Sequence, residues 1–120
     1  MAQQAHDLDS RRSPRRVFNR AVGLLCDGRF ELAQALQISE SGMAFATPNE
    51  LAVGARLVIS LVIPGSDGLV LRGFVVAQRD PVGTMNSYGV QFYTLGLHER
   101  RMIRSYVSAK TQAEANEEDA

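Results

Sequence analysis

Four arginines fall within six residues, Arg11-Arg12-Ser13-Pro14-Arg15-Arg16, immediately ahead of the first apolar run. A guanidinium can grip a phosphate through two parallel hydrogen bonds, donate to the O6 and N7 edge of guanine, or stack on a purine face. Pro14 denies this segment a regular helix and biases Ser13 toward extended geometry, so the arm can reach for a partner. One hairpin further on, Gln37-Ile38-Ser39-Glu40-Ser41-Gly42 offers an amide, a hydroxyl and a glycine that permits close backbone approach. We read the two segments as halves of one anion- and base-binding site. Each alone has a plainer reading, a solvated basic arm or a strand-turn-strand. Their order around a first hairpin makes the pair more specific than either half.

Short strands must position these segments. Val17 to Cys26 favours a strand, and Asp27-Gly28 is a strong hairpin signal. Arg29 to Ser39 returns, with Phe30, Leu32, Gln34, Leu36 and Ile38 in alternation and a one-step break in the pattern that predicts a bulge or a twist near Ala33 to Ala35. Met43 to Ala46 is a short strand. The clearest strand carries Leu57, Ile59, Leu61 and Ile63 on one face, and Pro64 to Gly68 is a turn cluster. Leu69 to Arg79 reads as a long strand, Asp80 to Ser87 as a loop, and Tyr88 to Tyr93 as a returning strand. This rhythm argues for a mainly β barrel or sandwich. The period then changes: Met102, Ile103, Tyr106 and Val107 share one face of a helix expected over 97–109. Residues 1–10 and 110–120 are expected to be disordered tails, the second acidic.

The 120 residues suit one domain with one core. Net charge is zero, so the chain has no bulk attraction for a nucleic-acid polymer. Arginines crowd one end while Glu114, Glu117, Glu118 and Asp119 crowd the other, a pattern that fits a small anionic ligand better than a polyanion. The absence of Trp and the placement of the few aromatics within apolar strands also argue against a base-stacking platform. No apolar run approaches the roughly 18 residues of a membrane span, and no secretory signal is visible, so a cytoplasmic protein without membrane insertion is expected. The single cysteine, Cys26, lies in an apolar stretch and reads as a small buried hydrophobe; with His6 and His98 the only histidines, no metal site is expected. No triad, nucleophile elbow or phosphate loop is present, so an enzyme is not expected.

These residues resemble the PilZ domain family, which is marked by RxxxR before the first strand and by [D/N]xSxxG about one hairpin later. Arg12-Ser13-Pro14-Arg15-Arg16 supplies the first motif and Gln37-Ile38-Ser39-Glu40-Ser41-Gly42 the second. Further likeness lies in Gly54-x-x-Leu57-x-Ile59-x-Leu61, Leu71-x-Gly73-x-Val75-Val76, Tyr88-Gly89-Val90-x-Phe92 and the closing helix with Arg100, Ile103 and Tyr106. The resemblance covers residues 11 to 108. It implies a six-stranded antiparallel barrel with a C-terminal helix, a domain over 11–109, and a receptor for the bacterial second messenger cyclic di-GMP.

Carried over, Arg12 and Arg16 would contact phosphate and guanine and draw the arm over the ligand, Ser39 would hydrogen-bond it, and Gly42 would allow close approach. Arg11 occupies the position that the family associates with a stacked ligand dimer, and Arg15 reads as a spectator. The chain departs from the family at Gln37, where Asp or Asn is usual. Gln keeps an amide but adds a methylene, and a lost polar contact costs about 1–3 kcal/mol, or roughly ten- to a hundredfold in affinity. Two readings follow: a cyclic di-GMP receptor whose arm rearranges and signals through a partner protein, or a PilZ-like adaptor whose ligand binding is weakened or lost. Retention of Arg12, Arg16, Ser39 and Gly42 favours the first.

Overall fold

The computed structural model describes residues 14–119, with side chains described for 14–109. Six antiparallel strands close into a barrel: β1 (Arg16–Cys26), β2 (Arg29–Ile38), β3 (Gly42–Thr47), β4 (Arg56–Val62), β5 (Gly68–Val82) and β6 (Met85–Phe92). Around the barrel they run β1-β2-β3-β6-β5-β4, and β4 pairs back onto β1. One helix follows, α1 (Leu97–Asp119). No described helix is long and apolar enough to cross a membrane.

The first hairpin forms as the sequence predicts. Asp27 and Gly28 both take positive φ, 53° and 76°, the two-residue geometry whose twist matches that of the flanking strands. Leu57, Ile59, Leu61 and Ile63 all point inward, at 3% exposure or less. They meet Phe18, Val22 and Leu24 of β1, Leu69, Leu71 and Val75 of β5, and Tyr88, Val90 and Phe92 of β6 in one core. Ile103 and Val107 of α1 join that core, so the helix seals the barrel with the apolar face expected of it.

Five expectations are corrected. In β2 the inward residues are Ala33, Ala35 and Ile38, while Phe30 and Leu32 face solvent. The barrel interior is narrow here: Ala35 pairs with the buried Phe45, a small residue beside a large one. The irregularity that resets the alternation lies between Ala35 and Gln37 rather than at Ala33 to Ala35. Most of the predicted loop over 80–87 is strand, because β5 and β6 form a hairpin pairing Val82 with Met85 and absorb Pro81 where the register shifts. The helix runs on to Asp119 instead of ending at Ala109, through a stretch rich in Ala, Gln and Glu with no glycine or proline to stop it. Cys26 is only partly buried at the edge of the core; desolvation, then the Asp27 and Glu31 carboxylates, push its thiol above its ordinary value. The tail over 1–10 lies outside the described residues.

Candidate functional site

The first hairpin brings the two sequence segments together. Arg16 opens β1 and Ile38 closes β2, and the register pairs Arg16 with Ile38 and Val17 with Gln37. A shift between Val17 and Arg20 makes this pairing possible, for β1 holds one residue more than β2 across that interval. The arginine end of β1 therefore stands beside the start of the Gln37–Gly42 segment. Of the predicted site residues, Arg16, Gln37, Ser39 and Gly42 are brought into one region; Arg11 and Arg12 lie outside the described residues. Arg15 is exposed.

Arg16 is held by the helix. Its Nη1 donates to the Tyr106 carbonyl at 2.9 Å, and its guanidinium carbon lies 3.5 Å from the centroid of the Tyr106 ring. A cation so placed is attracted by the ring's quadrupole. Tyr106 is itself located by an edge-on contact with Phe18, ring centroids 5.7 Å apart. The Arg16 Nε is buried and has no hydrogen-bond partner among the described residues. One donor of this guanidinium is thus engaged by the protein while another is not.

The second segment is a tight turn built on Ser39. The Ser39 backbone N–H donates to the Gly42 carbonyl at 2.9 Å. The Ser39 Oγ accepts from the backbone N–H groups of Ser41 at 3.2 Å and Gly42 at 3.3 Å, and lies 3.0 Å from the Ser41 hydroxyl. Ser39 is 5% exposed, so its hydroxyl satisfies buried backbone groups as an ST-turn does. Gly42 begins β3 opposite Gln91, and any Cβ there would overlap the Val90 carbonyl oxygen. Sequence reasoning assigned Ser39 and Gly42 to a ligand; the structure gives both a role in folding. Gln37 is half-buried, and no described group bonds its side-chain amide.

Three residues that sequence reasoning left out of the site also lie here. Arg104 of α1 grips Glu40 through Nε to Oε2 at 3.1 Å and Nη2 to Oε1 at 2.9 Å. The hydrogen bond to Glu40, then its charge, raise the Arg104 guanidinium above its ordinary value. Glu40 and Arg104 tie the turn, and Tyr106 ties Arg16, to one stretch of the same helix. The only signal in the sequence was the placement of Tyr106 on the apolar helix face; the other pair spans 64 positions and leaves no local pattern.

The PilZ domain family model matches residues 9–109. No curated protein matches the chain. Among solved structures, the Bacillus subtilis inhibitor of motility MotI/DgrA superposes with a TM-score of 0.71 at 12% identity, over 87% of this chain and 51% of that one. The PilZ domain with c-di-GMP of YcgR from Escherichia coli gives 0.67 at 12% identity, over 90% and 96%. The K. pneumonia MrkH–c-di-GMP complex gives 0.66 at 17%, over 89% and 54%. The chain thus spans about half the length of MotI/DgrA and of MrkH. At these identities the likeness is one of fold: the same closed six-stranded barrel with its C-terminal helix. With the family model matched across the whole barrel and the first part of the helix, the chain belongs to the PilZ domain family.

Proposed function

We propose that this chain is a cyclic di-GMP receptor that works as an adaptor: the dinucleotide, gripped by Arg16 on the barrel, draws the arm carrying Arg11 and Arg12 over itself, and a partner protein reads the change. One observation carries this reading. The β1–β2 register sets Arg16 and Gln37 at neighbouring positions of one strand pair, on a barrel whose fold is shared with PilZ structures described as c-di-GMP complexes. Guanidinium groups supply charge and bidentate donors for phosphate and guanine, and the unengaged Gln37 amide faces no competitor within the protein. Drawing the arm onto the ligand costs binding free energy but gives the domain a conformational change to transmit. The ligand would bind as a single molecule or, with Arg11, as a stacked pair. The expected setting is the cytoplasm, without a bound cofactor and without catalysis.

Calorimetric titration with cyclic di-GMP tests this, with heat expected and a stoichiometry of one or two. The absence of heat on the order of 50 µM ligand would refute it.

The weakened-adaptor reading also has an observation in its favour. Because Ser39 and Gly42 serve the turn and the packing, their presence no longer argues for ligand binding, as it did from sequence alone. Gln37→Asp separates the readings: tight binding that appears only in this variant favours the adaptor.

A further inference from the structure

Phe30 and Leu32 are 66% and 67% exposed, and the strand register shows what surrounds them. On the outer surface Leu32 lies opposite Gly23, Gly23 opposite Ser60, and Ser60 opposite Val70. One step along, Phe30 lies opposite Leu25, and Leu25 opposite Val58. Val62 and Val70 are 56% and 66% exposed. The first row therefore runs from Leu32 over the small Gly23 and Ser60 to Val70, while the second runs from Phe30 over Leu25 and Val58 to Arg72.

The result is a trough with Ala21 and Ser60 on its floor, beside Gly23, which the Phe30 ring covers. A Cβ at position 23 would stand 2.9 Å from the Phe30 ring, so glycine is what allows that ring to lie across β1. A depression of about 570 Å³ runs over Ala21, Ser60, Val62 and Val70, with Arg20 at its side. It shares Val70 with a larger one of about 930 Å³, which holds Leu25 and Val58 together with Arg56 and Arg72. None of these outward residues serves the core, and an apolar patch rimmed by polar groups marks an interaction surface.

Charge decides the occupant. Arg20, Arg56 and Arg72 are exposed, and among the described residues none is paired with a carboxylate. The larger depression contains Asp27 and Glu99, which come from the β1–β2 turn and the first turn of α1. In a symmetric dimer through this face each copy would bring three arginines, Arg20, Arg56 and Arg72, against two carboxylates, Asp27 and Glu99, leaving a net meeting of like charges. The acidic end of another copy, Glu114 to Asp119, has no large apolar residue to fill the trough.

We infer that the outer face of β2-β1-β4-β5 docks an apolar segment flanked by carboxylates, supplied by a different protein. Its apolar side chains seat over Ala21 and Ser60, between Leu32 and Val70, and its acids meet Arg20, Arg56 and Arg72. This surface locates the partner invoked in the proposed function, yet it rests on its own geometry and not on ligand binding.

The test uses the full chain and a synthetic helical peptide of about 18 residues, with leucines along one stripe and glutamates beside it, against a twin with lysines in place of glutamates. Binding is followed by anisotropy and by amide chemical shifts, with and without cyclic di-GMP. The glutamate peptide is expected to bind about tenfold tighter than its twin, with shifts confined to the outer positions of these four strands. Leu32→Ser and Arg72→Glu should each weaken it about tenfold while leaving the melting temperature and the dinucleotide titration unchanged. Equal binding of both peptides, no binding of either, or shifts elsewhere would overturn the inference. So would self-association that Leu32→Ser abolishes, which would make a second copy the occupant. Peptide binding without dinucleotide binding would leave this surface standing and remove the receptor reading; the reverse would do the opposite.

Discussion

The two halves of the site differ in what already occupies their polar groups. In the Ser39–Gly42 turn, the hydroxyl is surrounded by backbone N–H groups and the glycine is pressed against Val90. Removing either side chain's special property damages the fold before it can report on a ligand. Across the hairpin, Arg16 touches the helix through one donor and one ring face, and keeps a buried Nε without a partner among the described residues. The barrel core does not need it. Motif residues on one chain can therefore persist for different reasons, and only the arginine side tests binding cleanly.

The largest expected effect tests the folding side of this contrast. Gly42→Val places a branched side chain against the Val90 backbone and should cost about 3 kcal/mol, read as a lower urea midpoint. A variant as stable as wild type would show that Gly42 is not needed for packing, and would return it to the ligand. Next, Arg16→Ala should weaken cyclic di-GMP about thirtyfold, equivalent to about 2 kcal/mol, while stability falls by only about 1 kcal/mol from the lost Tyr106 contact. Equal losses in both measurements would erase the distinction between the two halves.

Smaller effects sharpen it. Gln37→Asp should tighten the ligand about tenfold with little change in stability, because no described group bonds the glutamine amide. The smallest effect belongs to Arg104→Ala. Its pair with Glu40 is exposed, with Arg104 60% accessible, so the melting temperature should fall slightly at low salt and not at about 1 M salt. A loss that persists in salt would mean that this pair, and not packing alone, fixes the turn to the helix.

Much of the fold was legible in the sequence because local rules decide it. Asp27-Gly28 can take positive φ at both positions, and the alternation of Leu57, Ile59, Leu61 and Ile63 admits one inward face. The facing of β2 was not legible. Phe30 and Leu32 look like core residues until the crowding of the interior by Phe18, Phe45 and Tyr88 favours the alanines. The site was half legible. The arginines and the Ser39–Gly42 segment announce themselves by type and spacing, but the work of Ser39 inside its own turn is a matter of bond geometry. Glu40–Arg104 and Arg16–Tyr106 join residues 64 and 90 positions apart, and no window on the sequence reveals such pairs.

The most direct test of the receptor account is a calorimetric titration of the wild-type chain and of Arg16→Ala with cyclic di-GMP under identical salt. The account predicts saturable heat for the wild type, at one or two ligands per chain, and affinity about thirtyfold weaker for the variant. Two indistinguishable isotherms, or a wild type that gives no heat on the order of 50 µM ligand, would contradict it.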